Sequence, residues 1–287
     1  MSYRPTAIIT GGSQGSGFAL AKLLLSKNYN VCIAARRPDV LQASESRLRE
    51  AIVEQKLEPD LGSAAARILA VPTDITNPAD VANLRQQVLD KYDENSVNLL
   101  ANVAGVCLTG PFGATKIEDF RAQLDVNFLG AVQVTHAFLP ALERNSRTSS
   151  AQRTTIAVVN SFGGRLPLNN MTAYTASKFA LAGWADALRY EMAKENIHVC
   201  QIQPGVINSD FLERAQFVGE QATVARSNLE KILASGMAQT PEEVAEAVWQ
   251  GVASGKEEVV VGAAFQAAIT AYKWTGLNVF GVDAPSL

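Results

Sequence analysis

Seven short apolar runs recur along this chain, at Ala7–Thr10, Asn30–Ala35, Ala66–Val71, Val97–Ala101, Thr155–Asn160, Ile197–Gln203 and Glu258–Val261. Each is nearly continuous rather than alternating with polar residues. A strand with one wet face alternates, so these runs call for cover on both faces, the condition of parallel strands in α/β proteins. The intervals between them carry helical patterns near Gly17–Lys27, Pro38–Gln55, Pro78–Tyr92, Ile117–Leu142, Ala173–Glu195 and Pro241–Ser254. Asn77-Pro78 and Thr240-Pro241-Glu242-Glu243 are helix start signals, a cap before Pro and a capping box. Strands joined by crossover helices predict an α/β fold: a Rossmann-type, doubly wound, three-layer αβα sandwich with a seven-stranded parallel sheet.

Residues 1–287 are therefore expected to form a single domain. Asn145–Arg153, rich in Ser and Arg, is expected as a loop before the fifth strand. A segment at about 207–228, of mixed polarity, is expected as a helical lid over the site. The apolar extension at about 262–287 packs on the core, a partner or a membrane surface; the sequence leaves these open. Hydrophobic residues make up 47% and charged residues 18%, enough apolar material for a large core. Lys plus Arg number 25 against 28 Asp plus Glu, without the basic excess of a nucleic-acid binder. Asn95–Thr115 is uncharged but broken by Gly and Pro, and Val259–Tyr272 falls short of the roughly 20 residues of a span, so no transmembrane segment is expected. The N-terminus lacks a signal-peptide apolar region, which points to the cytoplasm. Cys32, Cys107 and Cys200 form no CxxC pair, and with only His136 and His198 no metal site is expected.

The first run opens directly into Thr10-Gly11-Gly12-Ser13-Gln14-Gly15-Ser16-Gly17-Phe18. Glycines at a strand-to-helix turn let the backbone approach a pyrophosphate at a positively polarised helix N-terminus. The spacing differs from G-x-G-x-x-G, so alone it is an ordinary Gly-rich turn as readily as a dinucleotide loop. About 20 residues further on, an acid meets the ribose of NAD whereas an Arg accommodates the 2′-phosphate of NADP. The second run ends Ala34-Ala35-Arg36-Arg37-Pro38-Asp39. Asp39 lies too far along to serve as the ribose acceptor, and the guanidinium fork of Arg36 or Arg37 matches a phosphate. The cofactor expected is NADP(H).

Tyr174 and Lys178 stand one helical turn apart, on one face. A phenol near its ordinary pKa of about 10 is a poor acid–base group, and a neighbouring ammonium is expected to bring it down. Ser161, 13 residues before Tyr174, ends the fifth run at the sheet edge where ligands bind, or else caps a turn. Asn127 interrupts an apolar helix, where it competes with the backbone for hydrogen bonds or faces solvent.

Together these residues resemble the short-chain dehydrogenase/reductase family, in its single-domain branch, from Ala7 to about Val261. Thr10-Gly11-x3-Gly15-x-Gly17, with Ser13, Gln14 and Ser16 in the loop, is similar to the family's cofactor loop. Asp74, followed by Ile75, matches its adenine-contacting acid. Asn102-Val103-Ala104-Gly105 is similar to its Asn-Asn-Ala-Gly segment. Pro204-Gly205 with Ser209 matches the stretch flanking the nicotinamide. Asn127, Ser161, Tyr174 and Lys178 match the catalytic tetrad. Val103 replaces an Asn, Ser16 an Ile and Ser209 a Thr; none of these departures touches the tetrad.

The resemblance implies hydride transfer between nicotinamide and a carbonyl or secondary alcohol, with NADPH favouring reduction. Tyr174 would be the proton donor. Lys178 would lower its pKa and hold the nicotinamide ribose, Ser161 would polarise the carbonyl, and Asn127 would support a water-linked relay. Substrate-facing positions are expected at Val106, Leu108, Pro111 and Phe112, at Phe162, Arg165, Leu166 and Leu168, and at Phe211, Leu212 and Phe217. Their apolar character suggests a lipophilic ketone or aldehyde; a 3-ketosphinganine-type long-chain keto reductase is one alternative, and a non-catalytic NADP(H)-binding regulator another. A homodimer or homotetramer, packed through the helices carrying Asn127 and Tyr174, is the assembly the family implies.

Overall fold

The computed structural model describes residues 4–148, 152–209, 211–220, 222–234 and 238–276. Its centre is a parallel sheet of seven strands: β1 (Thr6–Thr10), β2 (Asn30–Ala35), β3 (Ile68–Pro72), β4 (Val97–Asn102), β5 (Thr155–Val159), β6 (His198–Gln203) and β7 (Glu258–Val260). The order across the sheet is β3-β2-β1-β4-β5-β6-β7. The succession reverses between β1 and β4, the crevice where ligands bind in open α/β sheets.

The continuous apolar runs follow from two buried faces. Ile9, Ile33, Leu99, Ala157 and Ile202 point to one side, and meet Leu20 and Leu24 of α1 (Gly15–Ser26), Leu41 and Leu48 of α2 (Pro38–Glu54), and Val244 and Val248 of α10 (Pro241–Ser254). Ile8, Cys32, Leu100, Ile156 and Val199 point to the other. There they meet Leu84 and Val88 of α4 (Pro78–Lys91), Val134 and Phe138 of α6 (Gly130–Thr148), and Leu181 of α7 (Thr172–Ala193). Because side chains alternate along a strand, neither set admits a polar residue without a partner.

Four expectations are corrected. The third strand begins at Ile68, because Asp60 caps α3 (Leu61–Arg67) through Ser63 N and the helix claims Ala66 and Arg67. Arg67 is buried and donates to the carbonyls of Leu25 and Tyr29, each at 2.8 Å. The helix expected over Ile117–Leu142 is instead α5 (Ile117–Leu124), a π-helical turn at Asp125–Leu129, and α6. α6 runs on through Asn145, where the loop was expected to start: Asn145 Oδ1 accepts from Thr154 at 2.7 Å, bracing the helix end against the sheet. The lid segment holds α8 (Phe211–Arg214), a two-residue ladder pairing Gln216–Phe217 with Leu108–Thr109, and α9 (Ala222–Ala234), which extends past Asn228. Part of the C-terminal extension, α11 (Ala263–Thr275), lies on Phe162 and Leu166 through Phe265, Ala268 and Ile269; residues 277–287 lie outside the described residues. Among the described residues, no helix is long and apolar enough to cross a membrane.

Candidate active site

A cavity of about 750 Å³ opens at the carboxyl ends of the strands. Its first wall is the glycine loop. α1 starts at Gly15 with Gln14 as its N-cap, no side-chain cap bond and no acid in its first turn. Its leading amides and positive dipole end therefore remain available to an anion. Close packing makes this wall smooth: a Cβ on Gly17 would lie 2.3 Å from the Gly11 carbonyl oxygen, and Gly11 itself sits at φ +68°. Thr10 Oγ1 accepts from the amides of Val103 at 3.1 Å and Ala104 at 3.2 Å, tying the loop after β4 to the end of β1.

Along the same wall, Arg36 and Arg37 project exposed from the end of β2, and Arg37 donates to Gln14 Oε1. Burial pushes the Asp74 carboxyl upward, yet hydrogen bonds from Thr76 N (2.9 Å) and Oγ1 (2.7 Å), with the Arg36 charge, hold it below the usual carboxylate range. A loop in which Gly11 and Gly17 leave no room for a side chain, a helix start without a side-chain cap and two guanidiniums at the β2 edge fit an anionic dinucleotide.

Deeper in, Ser161, Tyr174 and Lys178 line the cavity together. Ser161 caps the turn Phe162–Gly164, accepting from Gly163 N at 3.1 Å, and its hydroxyl also meets the Tyr174 phenol. It is thus both turn cap and site residue. Lys178 is 4% exposed, its Nζ 5.9 Å from the Tyr174 ring centroid. Asn127 occupies the π-helical turn, 1% exposed. Its Oδ1 accepts from Val106 N at 2.8 Å, while Nδ2 donates to Val106 O and Ser177 Oγ, each at 2.9 Å. Ser177 Oγ donates in turn to Tyr174 O at 2.7 Å. The bulged helix, a frequent mark of functional sites, clamps the substrate-side loop to the helix of Tyr174. Both Nδ2 hydrogens and one lone pair of Oδ1 are engaged, which leaves Oδ1 able to accept one further hydrogen bond.

The electrostatics overturn one expectation. Burial dominates at Tyr174 and pushes the phenol above its ordinary value, with the Ser161 hydrogen bond opposing. The ammonium is not what sets it. Burial likewise brings Lys178 down to about 8, since a desolvated ammonium is costly, and nearby Cys107 opposes. Cys107 is itself pushed up to about 12 by burial, hence a thiol rather than a thiolate.

Of the expected cofactor residues, Gly11, Ser13, Gln14, Ser16, Gly17, Arg36, Arg37, Asp74, Ile75, Ala104, Gly105, Pro204, Gly205 and Ser209 line the cavity. Gly15 is not in the lining, although Gln14 and Ser16 on either side of it are. Asn102 turns away, donating to Thr135 Oγ1 at 2.9 Å. On the substrate side Val106, Phe162, Leu168 and Phe217 line it. Leu108 is consumed by the small ladder, Leu166 lies under α11, and Phe112 is 71% exposed. Pro111 is not in the lining, and the side chains of Phe211 and Leu212 lie outside the described ones. Arg165 is held by Asp186 at 2.8 Å and Glu258 at 2.6 Å, so it serves the scaffold rather than the substrate. Sequence reasoning missed Cys107, Thr109 and Met171, and Arg214, Ala225, Asn228 and Leu229 of the lid. It also missed Ser177, although its place between Tyr174 and Lys178 was a signal.

Residues 5–216 match the family model for short chain dehydrogenases. A dehydrogenase/reductase SDR family protein 7-like from Anopheles gambiae is 28% identical over 255 residues, covering 88% of this chain and 74% of that protein. A 3-ketodihydrosphingosine reductase from Bacteroides thetaiotaomicron is 27% identical over 228 residues, covering 78% of this chain and 73% of that protein. A short chain dehydrogenase/reductase from Burkholderia phymatum in complex with NAD superposes with a TM-score of 0.81 at 21% identity, over 95% of this chain and 94% of that one. A short chain dehydrogenase from Burkholderia cenocepacia in complex with NADP gives 0.71 at 24% identity, over 96% of each chain.

Proposed function

The chain belongs to the short chain dehydrogenase family, and from that premise we propose that it is an NADP(H)-dependent oxidoreductase that reduces a lipophilic ketone or aldehyde. The observation that carries this reading is a single cavity joining Arg36 and Arg37 at one end to Ser161, Tyr174 and Lys178 at the other. Arg36 and Arg37 at one end and Lys178 at the other would hold a reduced nicotinamide dinucleotide, which when bound would supply the hydride for the carbonyl carbon. Tyr174, whose phenol burial keeps protonated at neutral pH, donates its proton to the carbonyl oxygen. Ser161 Oγ orients that oxygen. Lys178, still mostly cationic at pH 7, holds the ribose hydroxyls and favours the developing phenolate. Asn127 and Ser177 act as positioning residues that fix Val106 and the Tyr174 helix.

Met171, Leu168, Phe162 and Phe217, with Ala225 and Leu229 of the lid, give the substrate end an apolar lining. That lining, and the relative named for 3-ketodihydrosphingosine reduction, favour a long-chain keto substrate. The family resemblance also supports a homodimer or homotetramer, packed through the helices carrying Asn127 and Tyr174. The test is NADPH consumption across ketones and aldehydes of graded chain length. The reading expects kcat/KM to rise with chain length. NADPH binding without turnover of any member would instead identify a binding regulator.

A further inference from the structure

Consecutive amides at the end of β5 are taken up by β6 and its end. Asn160 N donates to Ile202 O at 2.9 Å, Ser161 N to Gln203 Oε1 at 3.3 Å and Phe162 N to Pro204 O at 2.9 Å. The first and last use backbone carbonyls, which any residue supplies. The middle one, on the residue that carries the Ser161 hydroxyl, depends on a side chain. Gln203 and Gln201 are fully buried and share a face of β6 with Val199. Buried amides in a core strand are costly unless hydrogen-bonded, so each calls for a reason.

Their partners supply it. Gln203 Nε2 donates to Glu258 Oε1 at 2.9 Å and to Gln201 Oε1 at 3.4 Å. Glu258 Oε1 also accepts from Arg165 Nε at 2.6 Å, and Arg165 Nη1 donates to Asp186 Oδ2 at 2.8 Å. Asp186 Oδ1 accepts from Gln201 Nε2 at 2.7 Å, which closes a ring through Gln203, Glu258, Arg165, Asp186 and Gln201. Burial pushes the Asp186 carboxyl upward, yet the hydrogen bonds and charges of Arg165 and Arg189 hold it below the usual carboxylate range, so it remains an acceptor. The ring ties β6, β7 and α7 to Arg165, the residue that ends the Ser161 turn.

A branch reaches the helix of Tyr174 and Lys178. Asn160 Nδ2 donates to Gln201 Oε1 and to Lys178 O, each at 3.3 Å. A Cβ on Gly164 would lie 2.7 Å from both ends of the Asn160 amide, so the Ser161 turn rests directly on it. The nitrogens of Asn160, Gln201 and Gln203 each have both hydrogens engaged. A buried polar network satisfied in this way is rigid.

Resting on the proposed role of Ser161 in carbonyl reduction, we propose that Gln203 and Glu258 are positioning residues. The ring they close holds the Ser161 amide, and so aims its hydroxyl at the carbonyl oxygen that Tyr174 protonates. Neither residue lines the cavity, so neither touches substrate or cofactor. Slight misplacement of a polarising group costs turnover, whereas cofactor binding, set by the glycine loop on another wall, is spared.

Kinetics of the full chain test this, with NADPH titrations on the same preparations. The carbonyl probe is whichever member of a 2-alkanone series of graded length the wild type reduces fastest. Gln203→Met removes the buried amide while keeping the length of the side chain. Glu258→Ala removes the shared acceptor from a half-exposed position, where folding is least at risk. Both are expected to lower kcat by roughly 10- to 100-fold without weakening NADPH. Glu258→Gln, which keeps an acceptor oxygen, is expected to recover most of the loss. In a Ser161→Ala background, followed in single turnover, neither substitution is expected to slow the reaction further, because the group they aim is gone.

The same fractional loss with and without Ser161 overturns the assignment, since the effect then bypasses that hydroxyl. So does NADPH affinity that falls along with kcat, the mark of a loosened fold. If Ser161→Ala cuts turnover while Gln203→Met and Glu258→Ala leave kcat at the wild-type value, the positioning role alone falls and the proposed function stands. If the wild-type chain reduces no member of the series, both fall.

Discussion

Replacing Lys178 with Met should make the cofactor-free protein more stable while removing activity. The magnitude follows from burial. Lys178 is 4% exposed, and its ammonium is brought from an ordinary 10.5 to about 8. A difference of about 2.5 pH units corresponds to about 3 kcal/mol of penalty for keeping the charge in the folded state. The sign depends on pH. Below about 8 both folded and unfolded chains carry the proton, and the whole penalty is present. Between about 8 and 10.5 the unfolded chain binds the proton more tightly, so wild-type stability rises with pH. Above 10.5 neither state is charged and the penalty is gone. Methionine keeps much of the stem packing without a charge. Urea denaturation of apo wild type and Lys178→Met at pH 7 should therefore differ by about 3 kcal/mol in favour of the variant, with the gap closing toward pH 10.5. Saturating NADPH should stabilise wild type far more than the variant. A variant less stable than wild type at pH 7, or a gap that does not change with pH, would refute the reasoning.

Other consequences are as specific. The reductive kcat/KM should fall as pH rises through about 8, where Lys178 loses its charge, and Lys178→Arg should move that fall to higher pH in a pH–rate profile. Arg36→Asp should raise the KM for NADPH by roughly 10- to 100-fold and leave NADH unaffected, the loss of a charge-assisted contact. Ser177→Ala cuts the hydroxyl joining Asn127 to Tyr174; it should lower kcat with little change in NADPH affinity, and Ser177→Thr should restore it. Phe265 packs on Phe162 with ring centroids 4.9 Å apart, and a Cβ on Gly205 would lie 2.2 Å from it. Phe265→Ala should cost about 1–3 kcal/mol in chemical denaturation, below the usual range for fully buried Phe because Phe265 is only half-buried, and should lower kcat by loosening the Ser161 turn.

The sheet was legible because its strands are covered on both faces: Ile8-Ile9 and Cys32-Ile33 read as apolar pairs, and the fold divides each pair between two cores. The glycine loop, Ser161, Tyr174 and Lys178 were legible because each occupies a fixed place relative to a strand end. The third strand was misjudged at Arg67, whose burial depends on carbonyls of Leu25 and Tyr29 distant in sequence. The break at Asn127 was flagged, yet its cause, a two-ended grip on Val106, is a long-range contact with no local period. The lid segment and Phe217 within it were expected from the sequence, but Arg214, Ala225 and Leu229 were not singled out, because the segment is tied to the ladder with Leu108–Thr109, not to the main sheet. The upward shift of Tyr174 was misjudged, and the downward shift of Lys178 not foreseen, for a related reason: proximity of the pair is a local fact, whereas burial is a property of the whole fold.

The central claim, that Tyr174 delivers the proton in a hydride-transfer site, is tested most directly by comparing wild type with Tyr174→Phe on one turned-over carbonyl substrate. NADPH consumption and NADPH affinity are measured on the same preparations. The account predicts loss of turnover by three orders of magnitude or so, within the range expected for a general acid, with NADPH bound as tightly as by wild type. Turnover unchanged by the substitution would contradict it.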